Sequence, residues 1–172
     1  MLSQFRKVIY AALEYIQTKT YQDEYIGWLT FANAGMLCKG NVYAMDFAIR
    51  NLPSSNPVVE IGSFCGLSTN VMTYLLEKHQ KNNQVITSDK WIFEGAEGGG
   101  CLGESNVPHS EYREYVKGSF MRNIEFFSKG NLPFPIEEFS DEFFALWEKT
   151  TAANDVFGRE IELGGPISFC FI

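Results

Sequence analysis

The chain has 172 residues, 45% apolar and 20% charged, with a net charge of −7 from 14 basic and 21 acidic side chains. That is length for one domain with a real core, too apolar for a disordered chain and too charged for a membrane protein. The basic residues are scattered rather than striped, which disfavours a nucleic-acid surface, and the acidic excess suits solubility.

No apolar run is long enough for a membrane span. Gln4, Arg6 and Lys7 interrupt any signal-peptide core early, so a cytoplasmic location is the expectation. Cys38, Cys65, Cys101 and Cys170 form no C-x-x-C pair, and His79 and His109 lie far from them in sequence. Neither a zinc site nor a disulfide framework is expected, and the thiols read as reduced and mostly buried.

In chain order, Leu2, Phe5, Val8, Ile9, Ala12, Leu13 and Ile16 recur at helical spacing, with Ser3 as a candidate cap. This helix is expected to cover the core; its alternatives are a cover for an acceptor site or a contact in a homo-oligomer. Residues 21–40 are aromatic and irregular, punctuated by Gly35 and Gly40, and residues 42–52 read as a second helix ended by Pro53. Residues 57–62 form a short two-sided apolar strand of the kind buried in a parallel sheet. A helix capped by Ser68 or Thr69 follows, running to about His79, and residues 84–89 are the next strand. Strand, helix and strand make one right-handed βαβ unit.

Residues 92–109 hold five glycines, Pro108 and no period, which reads as a lid or binding loop or, alternatively, as a disordered insertion. Residues 110–128 read as a helix ended by Gly130. Residues 132–139 read as a third strand, its two prolines suiting a sheet edge. A helix opened by Ser140, Asp141 and Glu142 runs to Lys149, residues 159–163 alternate like a hairpin strand, and residues 167–172 are a fourth, nearly all-apolar strand. The pattern predicts an α/β, Rossmann-like parallel sheet with N-terminal helices, in a single domain: residues 1–52 a helical cover, residues 53–172 the sheet.

The most informative stretch is residues 58–70, with Gly62 and Gly66 between a buried strand and a helix. Gly62 permits a sharp turn and a close ligand approach, and a ligand belongs over this loop at the carboxyl end of the strand. A P-loop would need a lysine after Gly66, where Leu67 stands, and a dinucleotide loop would need glycine at position 64, where Phe64 stands. Glu60 at the strand end would repel a pyrophosphate and attract an ammonium. Glycine loop and acid together point to S-adenosylmethionine. Asp89, at the end of the second strand, can accept both hydroxyls of a ribose or merely cap the following turn. Asp141, beside Ser140, can accept from an adenine amino group or serve as a first-turn helix acid.

These residues resemble a known family. The runs VVEIGSFCGLSTN and VITSDKW are similar to class I S-adenosylmethionine-dependent methyltransferases, in the group with macrocin O-methyltransferase-like and cephalosporin-hydroxylase-like proteins. The likeness covers about residues 40–172. It implies methyl transfer to a small-molecule acceptor, with Glu60, Gly62, Ser63 and Gly66 holding the methionine part. It also implies Asp89 on the ribose, and Ser140 and Asp141 on the adenine side. Ser68, Lys90 and Trp91 are further cofactor-binding candidates by position. For Lys90 the alternative is a solvated surface charge, and for Trp91 it is core packing.

The family sheet has seven strands and this chain shows four, so the expectation is the N-terminal part of a longer enzyme. The metal- or acceptor-binding acid after the fourth strand is not in the sequence, and no base or divalent-metal ligand can be named. His109 is a candidate general base if the glycine-rich loop closes. Cys65 has no nearby histidine to make it a nucleophile. Two rivals stay open: a non-catalytic binding or interaction protein on the same fold, and a nicotinamide-dependent oxidoreductase, which Phe64 disfavours.

Overall fold

The computed structural model describes residues 23–93, 96 and 98–172. The expected helix at residues 2–18 lies outside these. Five helices and six strands follow in order: α1 Glu24–Ala32, α2 Lys39–Arg50, β1 Val58–Ile61, α3 Leu67–Lys78, β2 Val85–Ser88, α4 His109–Phe127, β3 Phe134–Ile136, α5 Ser140–Glu148, β4 Thr151–Asn154, β5 Glu160–Leu163 and β6 Phe169–Phe171. A one-turn 3₁₀ helix, Lys129–Asn131, precedes β3. Among the described residues no helix is long and apolar enough to cross a membrane.

Four strands form one parallel sheet in the order β3-β2-β1-β6. The chain moves outward from β1 to β3 and then returns to place β6 on the other side of β1. The strand order therefore reverses between β1 and β6. The two-sided apolar character of β1 is used on both faces. Val58 packs with Met45, Ile49, Val71, Met72 and Leu75 beneath α2 and α3. Val59 packs with Ile86, Ile136, Phe143, Trp147, Ile161 and Leu163 beneath α5 and the hairpin.

Several boundaries differ from the sequence reading. The irregular stretch at residues 21–40 contains α1, whose first turn is capped by the Asp23 carboxylate accepting from the Ile26 N–H at 3.1 Å. Its buried stripe is only Ile26 and Leu29, while Trp28 and Phe31 on the outer face are exposed. Apolar residues on both faces leave no amphipathic contrast to read. Neither Ser68 nor Thr69 caps α3. Gly66 does, at φ +88°, without a side-chain cap, and both hydroxyl residues lie inside the first turn. The helix α4 begins at His109, one residue early. The third and fourth strands are shorter than read.

The alternating run at residues 159–163 is a hairpin strand as expected, and its antiparallel partner β4 was not read. The turn of this hairpin reaches the outer edge of the sheet. The Val156 N–H donates to the Pro135 carbonyl at 2.9 Å, and the Arg159 guanidinium donates to the carbonyls of Leu132 and Pro133. The buried Asp155 carboxylate holds Arg159 in place, and the guanidinium lies 4.2 Å from the Phe134 ring centroid. The edge at β3 is thereby covered. On the far side of β6 no strand is paired among the described residues.

Candidate functional site

Ligands of open parallel sheets sit at the carboxyl ends of the strands, where the strand order reverses. At that place the turn from β1 to α3 runs Gly62-Ser63-Phe64-Cys65-Gly66. Gly62 takes φ +84°, Phe64 +48° and Gly66 +88°. Glycine takes this region freely, so the cost falls on Phe64, and side chains from the flanks hold the loop. The Phe64 N–H donates to Asp89 Oδ2 at 2.8 Å, and the Phe64 carbonyl accepts from Trp91 Nε1 at 2.9 Å. The Cys65 carbonyl accepts from Asn33 Nδ2 and from Asn123 Nδ2, each at 2.8 Å. The Ser63 hydroxyl pairs with that of Thr87 on β2.

A cavity of about 260 Å³ opens beside this loop. Gly62, Ser63, Phe64 and Ser68 form one side, and Gly35, Met36 and Leu37, from the α1–α2 connection, form the other. A Cβ built on Gly62 would meet nothing within 4 Å, so the backbone there faces open space. Gly35 is the opposite case: a Cβ there would lie 2.4 Å from Leu67 Cβ. The connection can approach the start of α3 only because position 35 lacks a side chain. Gly35→Ala is therefore expected to lower stability by about 1–3 kcal/mol, the usual range for overpacking. Urea unfolding checks this, and an unchanged midpoint contradicts the close approach.

Glu60 is not a lining residue of the cavity: it is fully buried, with the Thr69 hydroxyl donating to Oε2 at 2.5 Å. Its other oxygen, Oε1, is buried with no hydrogen-bond partner. Burial pushes the Glu60 carboxyl up to about 7, against the pull of the Ser68 and Thr69 hydroxyls. The Asp89 charge adds to the rise, and the Ser63 hydroxyl opposes it. A carboxyl in that state has unused capacity for a cationic or donor group.

The remaining predicted residues, Asp89 included, lie outside the cavity lining. Asp89 sits beside the loop and spends two of its acceptor positions on the N–H groups of Phe64 and Trp91. Trp91 is buried, packed on Phe120 at a 5.2 Å centroid distance, as in its core-packing reading. Lys90 is paired rather than solvated: it binds the Glu138 carboxylate at 2.9 Å and the Glu137 carbonyl at 3.1 Å. Gly66 packs under α4, where a Cβ would crowd Phe120 and Ile124. Ser140 and Asp141 are exposed in the first turn of α5 and do not line the cavity. His109 opens α4 away from the cavity lining, with its Nδ1 buried and unpartnered. Burial, with Asp89's charge adding, pushes the Cys65 thiol up, against a nucleophile's need for a thiolate.

A larger cavity of about 660 Å³ lies between the start of α1 and α2, bounded by Asp23, Ile26, Thr30, Leu37 and Val42. No strand end lines it, so the smaller cavity is the better placed site. Among the described residues no group of three histidine, cysteine or acidic side chains could hold a metal ion. The sequence reading missed Asn33 and Asn123. An asparagine after a helix carries no signal that it will reach a loop 32 residues away. No protein-family model and no curated protein matches the chain.

Proposed function

We propose that the protein is a Rossmann-like, S-adenosylmethionine-dependent methyltransferase acting on a hydroxyl of a small molecule. One observation carries the reading. A fully buried strand-end carboxyl, Glu60, has an unpartnered oxygen beneath a loop whose Gly62 faces open space, where the strand order reverses. A sulfonium cofactor bearing an ammonium answers each of these features. The parallel order β3-β2-β1-β6 agrees with one half of such a sheet. Phe64 argues against a dinucleotide: it lines the cavity at the position where a pyrophosphate loop has glycine.

The residues present fit the group. Gly62 leaves the backbone approachable, and Ser63 and Ser68 line the cavity with it. Glu60 supplies the negative charge when ionised. The carboxylate of Asp89 keeps acceptor capacity beyond the two N–H groups it already holds. Bound there, S-adenosylmethionine would supply an electrophilic methyl group. The chain's contribution is to hold and orient, so alignment is the source of rate that these residues can provide.

Calorimetric titration with S-adenosylmethionine and with NAD tests the reading. Binding of the first and not the second is expected. Asp89→Ala should weaken it about tenfold or more, since a hydrogen bond to a charged group is worth roughly 1.5–3 kcal/mol. Binding of NAD alone overturns the proposal, and unchanged affinity in Asp89→Ala removes Asp89 from the site.

A further inference from the structure

The Asn33 side chain joins the two sides of the cavity. Its single NH₂ group donates to the Cys65 carbonyl in the loop at 2.8 Å and to the Ala34 carbonyl at 3.0 Å. Ala34 leads directly into Gly35, Met36 and Leu37, the opposite wall. The amide is not free to turn. Its oxygen accepts from Asn70 Nδ2 at 2.7 Å, and Asn70 Oδ1 in turn accepts from the Ser128 hydroxyl at 2.6 Å. Thr73 hydrogen-bonds Ser128 and closes the far end. Asn33, Asn70, Thr73 and Ser128 are all buried.

Every donor in this relay points the same way, from Ser128 at the end of α4, through Asn70 on α3, to Asn33 and the loop. Reversing the Asn33 amide would set its NH₂ against the NH₂ of Asn70 and its oxygen against two carbonyls. Buried polar networks that are fully satisfied fix one geometry, because any alternative strands a group. The geometry held here is the distance between the glycine loop and the Gly35–Leu37 wall.

We propose that Asn33 is a positioning residue that selects for the amino-acid end of the ligand. It holds the loop and the opposite wall in register, so that a group lying between them meets both. The inference rests on the S-adenosylmethionine reading and adds to it a residue and a discrimination. A ligand with the adenosine and thioether but no amino acid, such as 5′-methylthioadenosine, does not depend on that register. S-adenosylmethionine does.

The test compares the two ligands by calorimetry on the unmodified protein, Asn33→Ala and Ser128→Ala. Asn33→Ala is expected to weaken S-adenosylmethionine by about tenfold, as loss of a buried hydrogen-bonded group does, and to leave 5′-methylthioadenosine unchanged. Ser128→Ala breaks the same relay at its far end and should shift the preference in the same direction by a smaller factor. Equal weakening of both ligands in Asn33→Ala, or an unchanged preference there, reduces Asn33 to a structural role and overturns the proposal. If Asn33→Ala does not fold, hydrogen exchange on the unmodified protein decides. S-adenosylmethionine should slow the amides of residues 34–37 together with 63–66, and 5′-methylthioadenosine only the latter. Protection of 63–66 alone by both overturns the proposal. If neither ligand binds the unmodified protein, the S-adenosylmethionine reading itself falls.

Discussion

Gly62→Val is expected to abolish binding of S-adenosylmethionine while leaving the helical circular dichroism nearly intact. The position takes φ +84°, and a Cβ added there meets nothing within 4 Å. The folding cost is confined to the left-handed backbone, about 1–3 kcal/mol for a residue that avoids this region. The binding cost is larger, because a β-branched group would stand where a ligand must approach the backbone. Calorimetry with a matched unfolding curve separates the two. A variant that folds and still binds normally shows that this loop does not cradle a ligand.

The second expected result concerns Glu60. Its carboxyl is raised from 4.5 to about 7 by burial first, with Asp89's charge adding and the Ser68, Thr69 and Ser63 hydroxyls opposing. The unfolded chain releases this proton near 4.5 and the folded protein holds it to about 7. Below 4.5 both states are protonated and stability is full. Between 4.5 and 7 the unfolded state binds fewer protons, so stability falls as pH rises. Above 7 it stays at the lower level. At roughly 1.36 kcal/mol per unit, the loss is at most about 3 kcal/mol. Glu60→Gln keeps the shape without the titration. Its stability should not decline across that window, and at pH 8 it should exceed that of the unmodified protein. The same variant should bind S-adenosylmethionine less well, having no charge to offer an ammonium. Urea unfolding at a series of pH values checks the first claim, and an identical pH profile in Glu60→Gln would sink it.

The central part of the fold was legible because it is locally encoded. Val58 and Val59, and likewise Val85 and Ile86, are adjacent β-branched residues that face opposite sides of their strands, as a strand packed on both faces requires. The prolines at 133 and 135 correctly marked an edge, since proline has no N–H to give a neighbour. What was not legible depends on partners remote in sequence. Residues 151–154 hold no large apolar side chain, and become a strand only because residues 160–163 lie alongside. The helix α1 was hidden by Trp28 and Phe31 on its exposed face. In the site, the glycine spacing singles out Gly62, Ser63 and Ser68, which line one cavity. It could not show that Glu60 is fully buried and outside the cavity lining, because strand alternation gives the face and not the depth. Nor could it find Asn33, whose partners Cys65 and Asn70 are set by packing.

The hairpin turn at Val156 and Arg159 also decides how copies of this sheet can combine. With the Pro135 carbonyl taken by Val156 and the neighbouring carbonyls by Arg159, the β3 margin has nothing left to offer a newcomer. Among the described residues the margin of this sheet without a paired strand is the one at β6, so a further strand, from this chain or another, adds there. Were two molecules to meet through that margin, they would satisfy each other. Association by this route terminates at a closed pair, whereas a sheet sticky at both margins would propagate into a filament.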